Sequence, residues 1–224
     1  MDKSTPGWSQ YRNLDRVNEL QLASSSVGKG DPVLLIHGFG ASSYSWRYVI
    51  EPLAQKYRVI TIDLKGFGES PKPRDDQYSV YEQARLVRNF ILENKLKNLH
   101  IIGHSYGGGV ALATSIYLST SHPDLQKSLI LMDSIAYPQD LPGFVKILAT
   151  PILGSLIIYT IPNTFQVRNL LKKVYFNDDL ISQNAVDHYA DNLSKPNAKY
   201  ATLTSVRQML PADLQQFSEN YANL

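Results

Sequence analysis

A serine flanked by glycines is the residue with the clearest potential for chemistry. The sequence GHSYG at positions 103–107 places Ser105 between an apolar run and a stretch, Gly108–Leu118, that predicts a helix. A turn this tight exposes the serine hydroxyl only if the flanking residues have no side chains to collide. The helix that follows would present its first N–H groups to developing negative charge. These features predict Ser105 as the nucleophile of an acyl-transfer reaction.

Acyl transfer also needs a second backbone donor for the oxyanion of the tetrahedral intermediate. The sequence HGFG at positions 37–40 follows an earlier apolar run, and its glycines allow the backbone to approach a ligand closely. Because the carboxyl ends of parallel strands meet at one edge of a sheet, this loop is expected beside Ser105. We predict the N–H groups of Phe39 and Tyr106 as the two donors.

The elements that must position these residues form a repeating pattern. Short apolar runs lead into glycine-rich or polar turns and alternate with helical stretches, which predicts an α/β fold with a mostly parallel sheet and strands buried on both faces. Ser79 and Glu82 have the spacing of a capping box at the start of one helix. A further strand is predicted at Asn18–Ala23. The four apolar runs are Pro32–Ile36, Tyr57–Leu64, Asn98–Ile102 and Ser128–Met132.

The strand pattern stops after Asp133, and residues 138–210 have the pattern of helices separated by prolines. The apolar stretch Phe144–Ile161 has about the length of a membrane span. Because Pro151 interrupts it, we predict two short helices there and no integral membrane span. Pro211–Leu224 predicts one more short helix. The separating prolines are Pro142, Pro151, Pro162 and Pro196.

Together these motifs resemble the serine-nucleophile α/β-hydrolases that carry a helical cap. The resemblance rests on HGFG, on DLKGFGES at Asp63–Ser70, on GHSYGG and on the helical insertion, and its specific motifs lie within residues 16–136. It implies a doubly wound core in residues 1–136, a cap in residues 137–213 and a return segment in residues 214–224. In that family the serine attacks an ester, thioester, amide or activated carbon–carbon bond. Members with aspartate at the nucleophile position open epoxides or displace halide, and Ser105 argues against those reactions.

The same resemblance implies that two members of a catalytic triad are absent. In the capped members an acid and a histidine follow a seventh and an eighth strand, and this sequence ends at Leu224 before either. We therefore expect a C-terminally truncated core with little activity of its own, because a serine without a base is a weak nucleophile. Asp133, after the fourth run, is a minor candidate for the acid, and a cap for the following turn is the alternative. The resemblance implies that Asp63 braces its loop.

The five histidines do not include one whose position predicts a catalytic base. Two are expected at the wrong end of the sheet, and the one beside the nucleophile is expected beneath the turn. The two whose positions come nearest to allowing contact with Ser105 are His37, which the resemblance assigns to the oxyanion loop, and His188, on a helix of the cap. The remaining three are His100, His104 and His122.

Composition excludes several classes of partner and site. The 22 basic and 20 acidic residues leave a formal charge of +2, and no basic run is longer than Lys172-Lys173, so neither nucleic acid nor an anionic membrane is predicted as a partner. The absence of cysteine removes disulfides, Cys–zinc sites and thiol nucleophiles. No two histidines lie at metal-ligand spacing on a predicted helix, so no metal or cofactor is predicted. The first ten residues lack the apolar stretch of a signal peptide, which favours a cytoplasmic location.

The predicted cap supplies the only information on substrate. Its apolar content exceeds that of an ordinary surface helix and favours a small lipophilic ester. Two alternatives stay open, namely a non-catalytic ligand-binding or interaction module, and a dinucleotide site at residues 38–43 with Asp63 as ribose ligand, although Ser43 stands where the third glycine is expected. If no strand follows Ser128–Met132, that strand is an exposed edge through which the chain is expected to self-associate.

Overall fold

The sheet contains five strands in the part of the chain that the structure describes. A computed structural model of the protein describes residues 20–224, apart from the side chain of Asn223. The spatial order of the strands is β1-β3-β2-β4-β5, with β1 antiparallel to β3 and the other three pairs parallel. The predicted mostly parallel α/β sheet is therefore confirmed. The strands are β1 (Ser24–Val27), β2 (Pro32–Ile36), β3 (Arg58–Ile62), β4 (Leu99–His104) and β5 (Gln126–Met132).

The strand expected at Asn18–Ala23 is wrong in its position. Residues 18 and 19 lie outside the described residues, residues 20–23 belong to no strand, and the strand forms at Ser24–Val27. Its sequence, SSSV, has no buried residue, so apolar periodicity gives no signal for it. Pairing with β3 holds it in place, and the Ser25 and Thr61 hydroxyls share a hydrogen bond of 2.8 Å across that pair.

Helices follow the first three parallel strands, and two of them pack side by side against the sheet. These two are α2 (Val80–Glu93) and α3 (Tyr106–Ser121), and a short helix, α1 (Ile50–Ala54), precedes β3. The Ser79 hydroxyl accepts a hydrogen bond from the Glu82 N–H at 3.2 Å, as the capping-box spacing predicts. Helix α3 includes the whole of the predicted stretch and begins directly after Ser105.

Six α-helices follow β5 in the described residues, and prolines separate most of them as predicted. Pro142 and Pro162 precede α4 and α6, and Pro151 is the first residue of α5. No helix among residues 20–224 has by itself the length and apolar composition to cross a membrane. The α4–α5 pair meets both criteria only when its two helices are taken together, and it is bent by 99°. The helices are α4 (Gly143–Ala149), α5 (Pro151–Thr160), α6 (Asn163–Val174), α7 (Gln183–Ser194), α8 (Ala198–Arg207) and α9 (Leu214–Ser218).

The last residues of the chain pack back against the core. Phe217 of α9 is buried and lies 5.6 Å from the Tyr81 ring of α2. Tyr221 donates a hydrogen bond to the Ala136 carbonyl, just after β5. The segment that follows α8 therefore contacts the strand–helix core, whereas the domain boundaries at 136 and 213 remain predictions.

Of the four strands expected to be buried on both faces, β5 is the one whose residues are largely exposed. It pairs with β4 on one side only within the described chain. Its last three residues, Ile130, Leu131 and Met132, are 47%, 38% and 46% exposed. The expectation of burial on both faces is therefore wrong for β5, and the exposed apolar edge expected from the sequence is present.

Candidate active site

Ser105 occupies a sharp turn between β4 and α3. Its backbone has φ 53° and ψ −119°, a conformation that residues other than glycine rarely adopt. Hydrogen bonds hold it from both sides: its N–H donates to the Met132 carbonyl at 2.8 Å, and its carbonyl accepts from the Ile135 N–H at 3.2 Å. The residue is partly exposed. The turn thus fixes a strained serine at the carboxyl edge of the sheet, as a nucleophile at this position requires.

The glycines on either side of Ser105 are required by close contacts. A Cβ atom on Gly103 would lie 2.6 Å from the Gly107 carbonyl oxygen, and one on Gly107 would lie 2.3 Å from the His37 carbonyl oxygen. Both distances are far below van der Waals contact, and in each case the opposing atom belongs to the backbone. The steric reason predicted for the G-x-S-x-G sequence is therefore confirmed.

The HGFG loop lies against the Ser105 turn. A Cβ atom on Gly38 would be 3.3 Å from the Ser105 Cβ, and the Phe39 ring packs on the Tyr106 ring with centroids 6.3 Å apart. The N–H groups of Phe39 and Tyr106 donate no hydrogen bond to another residue in the described part of the chain. Tyr106 also begins α3, where the first N–H groups have no acceptor within the helix. Two unused donors therefore lie beside Ser105, and their role in catalysis stays a prediction.

His37 is held in a neutral form by its two ring contacts. Its Nε2 accepts a hydrogen bond from the Leu64 N–H at 3.0 Å, so its Nδ1 carries the proton and donates to the Gly38 carbonyl at 2.8 Å. The residue is fully buried, and burial lowers its pKa. Because both nitrogens are engaged, His37 is not placed to accept a proton from Ser105. It fixes the shape of the HGFG loop, as the resemblance implies.

The remaining candidates for base and acid do not reach Ser105 either. None of the five histidines forms a hydrogen bond with the Ser105 hydroxyl within residues 20–224. His100 Nδ1 is 2.7 Å from the Ser128 hydroxyl, and His122 is exposed at the end of α3. Asp133 is exposed at the end of β5, with a φ of 46°. The described residues therefore place no histidine in contact with the hydroxyl of Ser105, the predicted nucleophile.

Asp63 ties two loops of the site together. Its Oδ1 accepts a hydrogen bond from the Ser43 N–H at 2.6 Å, and its Oδ2 accepts from the Glu69 N–H at 2.7 Å. This is the bracing role that the resemblance implies. With both oxygens engaged, Asp63 has no free carboxylate for a ribose, and the loop after β2 leads only into a short 3-10 helix, Ser43–Trp46. Both features argue against the dinucleotide alternative.

Sequence reasoning missed the polar contact by which α7 meets the loop after β2. His188 Nε2 lies 3.1 Å from the Ser42 hydroxyl and 3.2 Å from the Asn192 Nδ2. The His188 ring also stacks on Tyr44, with centroids 4.1 Å apart. Burial lowers the pKa of His188. Since Ser42 is only 2% exposed, this serine–histidine pair joins two parts of the molecule and is closed to a substrate.

An apolar cavity of about 540 Å³ lies between the HGFG loop and the helices that follow β5. On the side of the strand–helix core, the cavity is lined by Phe39, whose N–H is a predicted oxyanion donor, and by Phe67; we call this side the core wall. Ser105 is not among the residues that line the cavity. The cap predicted from the sequence supplies most of the remaining apolar wall. These wall residues are Phe144, Ile147, Leu148, Ile157, Ile158, Ile161, Phe165, Val167, Leu170 and Leu193.

Polar groups at this cavity are few and concentrated on α6. Gln166, Asn169 and Lys173 line it from that helix, and Asn192 does so from α7. No group of three or more histidine, aspartate or glutamate side chains in residues 20–224 is placed to hold a metal ion. The walls thus favour an apolar ligand with a small number of polar contacts.

Comparisons with known proteins agree with this fold. A family model described as alpha/beta hydrolase fold matches residues 31–152. An uncharacterized protein of Mycobacterium tuberculosis is 37% identical over 150 residues, which are 67% of this chain and 41% of that protein. A probable lysophospholipase of Arabidopsis thaliana is 38% identical over 116 residues, which are 50% of this chain and 27% of that protein. The chain therefore spans less than half the length of either relative.

A solved structure extends the similarity beyond the region of the family model. The meta-cleavage product hydrolase from Pseudomonas fluorescens IP01 aligns with 88% of this chain and 67% of its own, with a TM-score of 0.67 and 26% identity. This coverage takes in the helices after β5 as well as the sheet. One of these relatives is uncharacterized and the other two are named for different hydrolase activities, so the shared feature is the hydrolase fold.

Proposed function

Since this chain belongs to the alpha/beta hydrolase fold family, we propose that it is a serine hydrolase that acts on a carboxylic ester through an acyl-enzyme on Ser105. The ester carries a lipophilic acyl or aromatic group, and residues 137–213 form the cap over it. One relative is named as a probable lysophospholipase and another as a meta-cleavage product hydrolase, which leaves the substrate open, so this narrower assignment rests on the site itself.

The proposed reaction uses groups with defined positions. The Ser105 hydroxyl attacks the ester carbonyl, and the N–H groups of Phe39 and Tyr106 stabilise the negative charge on its oxygen. The alcohol leaves with the proton that the Ser105 hydroxyl loses, and the acyl group stays on Ser105 until water releases it as the carboxylic acid and restores the hydroxyl. Because the described residues provide no base for Ser105, we expect this chain alone to turn over slowly, as a neutral serine is a weak nucleophile.

One observation carries the proposal. Ser105 is held at φ 53° between glycines that admit no side chain, beside two N–H groups that bond to no described residue. A strained serine is maintained only where the surroundings impose it, and such strain concentrates at functional sites. The apolar cavity at Phe39 supports a lipophilic group in the substrate.

Fluorophosphonate labelling with peptide mapping tests this proposal. We expect a slow adduct on Ser105, absent in Ser105→Ala and unchanged in Ser119→Ala, which alters another serine of the same region on α3. Hydrolysis of p-nitrophenyl esters should be weak but above the Ser105→Ala background. Rapid stoichiometric labelling would show that a base is present after all, while an adduct that does not depend on Ser105, or none at all, would contradict the proposal.

A non-catalytic ligand-binding module is the second candidate. It is favoured by the lack of a base near Ser105 within residues 20–224 and by the position of Ser105 outside the cavity wall. This alternative predicts ligand binding without any Ser105-dependent label or turnover, so the same experiment separates the two. The cytoplasmic location predicted from the sequence remains a prediction.

A further inference from the structure

The polar groups of α6 at the cavity lie on one face of that helix. Gln166, Asn169 and Lys173 have the three- and four-residue spacing that aligns side chains, and Leu170 stands between them on the same face. Gln166 donates its amide hydrogens to the Ile158 and Ile161 carbonyls, at 3.3 and 2.7 Å. The Asn169 amide donates to the Phe165 carbonyl at 2.8 Å. Both amide hydrogens of Gln166, and one of the two on Asn169, are therefore used within the protein.

Lys173 differs from these neighbours because its charge is uncompensated. It is the one charged side chain among the residues that line the cavity, and it forms no ion pair within the described part of the chain. The adjacent Lys172 points to a different partner, with its Nζ 3.2 Å from the Asp178 carboxylate. No acidic residue occurs between Asp140 and Asp178 in the sequence. A cation therefore stands alone where an otherwise apolar cavity meets solvent, since Lys173 is exposed.

We propose that the cavity binds an anionic amphiphile, with its apolar chain against the walls and its carboxylate or similar anion paired with Lys173. This inference rests on the proposed function and names the substrate class of the same site. The reacting group lies toward the core wall at Phe39, and the anion lies toward the cap wall formed by α6. A neutral lipophilic ligand would fill the same walls but leave the lysine unpaired, so the charge selects between two ligands of equal length.

Binding of a dansyl-labelled medium-chain fatty acid and of its uncharged primary amide tests the proposal by fluorescence. At about pH 8 the carboxylate of the acid probe is ionised, whereas the amide probe carries no charge. We expect the acid to bind about fivefold more tightly than the amide, and Lys173→Met to remove most of that difference while changing amide binding by less than about twofold. The matched control Lys172→Met, one residue away and outside the cavity wall, should leave both affinities unchanged.

The outcomes separate this inference from the proposed function. Ser105→Ala should bind both probes as the parent chain does, because the nucleophile is not needed for binding. If Lys173→Met alters acid and amide equally, alters neither, or if neither probe binds the parent chain, the inference is wrong whatever the labelling of Ser105 shows. If binding depends on Lys173 but Ser105 is never labelled, the proposed hydrolysis alone fails. A thermal melt of each variant confirms that the exposed substitution leaves the fold intact.

Discussion

His188 Nε2 lies 3.1 Å from the Ser42 hydroxyl, and this hydrogen bond connects residues 146 positions apart in the sequence. It joins α7 to the loop that follows β2 and therefore links the helices over the cavity to the wall that contains Phe39. The Asn192 Nδ2, an amide donor, also faces this nitrogen at 3.2 Å, so Nε2 accepts a hydrogen bond in its neutral form. Protonation would remove that acceptor, which makes the contact sensitive to pH.

The first prediction is that the protein loses stability in mild acid partly through His188. Burial lowers the pKa of His188 below its ordinary value of 6.5, and Lys195 lowers it further, while Asp63, Asp191 and Glu69 oppose the shift. The unfolded chain thus takes up the proton first as the pH falls. The contribution to stability is complete above about pH 6.5 and is lost as the pH falls toward the folded-state pKa.

Thermal melts between about pH 5 and pH 7.5 measure this effect. His188→Gln keeps a hydrogen-bonding group near Ser42 but cannot be protonated, so its melting temperature should fall less with acid than that of the parent chain. Some slope should remain, because burial also lowers the pKa of His37. The exposed His122→Gln serves as control, and equal slopes in His188→Gln and the parent chain would refute the assignment.

Features that depend on residues close together in the sequence are predicted well from it. The turn at Ser105 depends on Gly103 and Gly107, which stand within two residues of it, and the helix breaks depend on prolines at the breaks themselves. Strand β1 was misplaced because its serines carry no apolar pattern and are held by pairing with residues 59–62. The His188–Ser42 contact had no local signal at all, because its two halves meet only after the chain has folded.

The cavity illustrates the same difference between local sequence and tertiary packing. The apolar residues of α4 and α5 indicated a lipophilic ligand, but their sequence did not show which of them face inward. Ile147 and Ile158 line the cavity, whereas Ile152 is 85% exposed. That division follows from the 99° bend at Pro151 and from packing against α8, which no periodicity within either helix specifies.

The second prediction concerns Gly107, the glycine two residues after Ser105. In Gly107→Ala the added Cβ would lie 2.3 Å from the His37 carbonyl oxygen and 2.5 Å from that of Ile36, and backbone atoms at the end of the central strand β2 cannot move aside easily. We expect a loss of about 3 kcal/mol in the free energy of unfolding, measured by urea denaturation. Gly143→Ala, where nothing lies within 4 Å, should change it by less than about 0.5 kcal/mol. Equal effects would mean that the turn is looser than these contacts indicate.

The third prediction is that replacing Ser105 by glycine relieves the backbone strain at this position, although it removes the hydroxyl. Glycine adopts positive φ without steric cost, whereas alanine at φ 53° retains the strain of serine. The free energy of unfolding in urea should therefore be higher for Ser105→Gly than for Ser105→Ala by about 1 kcal/mol. This difference already allows for the greater conformational entropy of glycine in the unfolded chain, which opposes the gain. A glycine variant no more stable than the alanine variant would indicate an unstrained turn.

The fourth prediction is that the chain self-associates through β5. This strand has no partner on its outer side in the described chain, and it presents Ile130, Leu131 and Met132 at exposures between 38% and 47%. An unpaired apolar edge is a template for pairing with another strand, and the charge of a lysine at that edge opposes such pairing.

Light scattering should show association that rises with concentration and falls in Ile130→Lys. Val27→Lys is the matched control, because Val27 is 50% exposed on β1 at the opposite, serine-rich edge and should leave association unchanged. A monodisperse monomer at high concentration, or equal effects of the two lysines, would show that the β5 edge is not the contact.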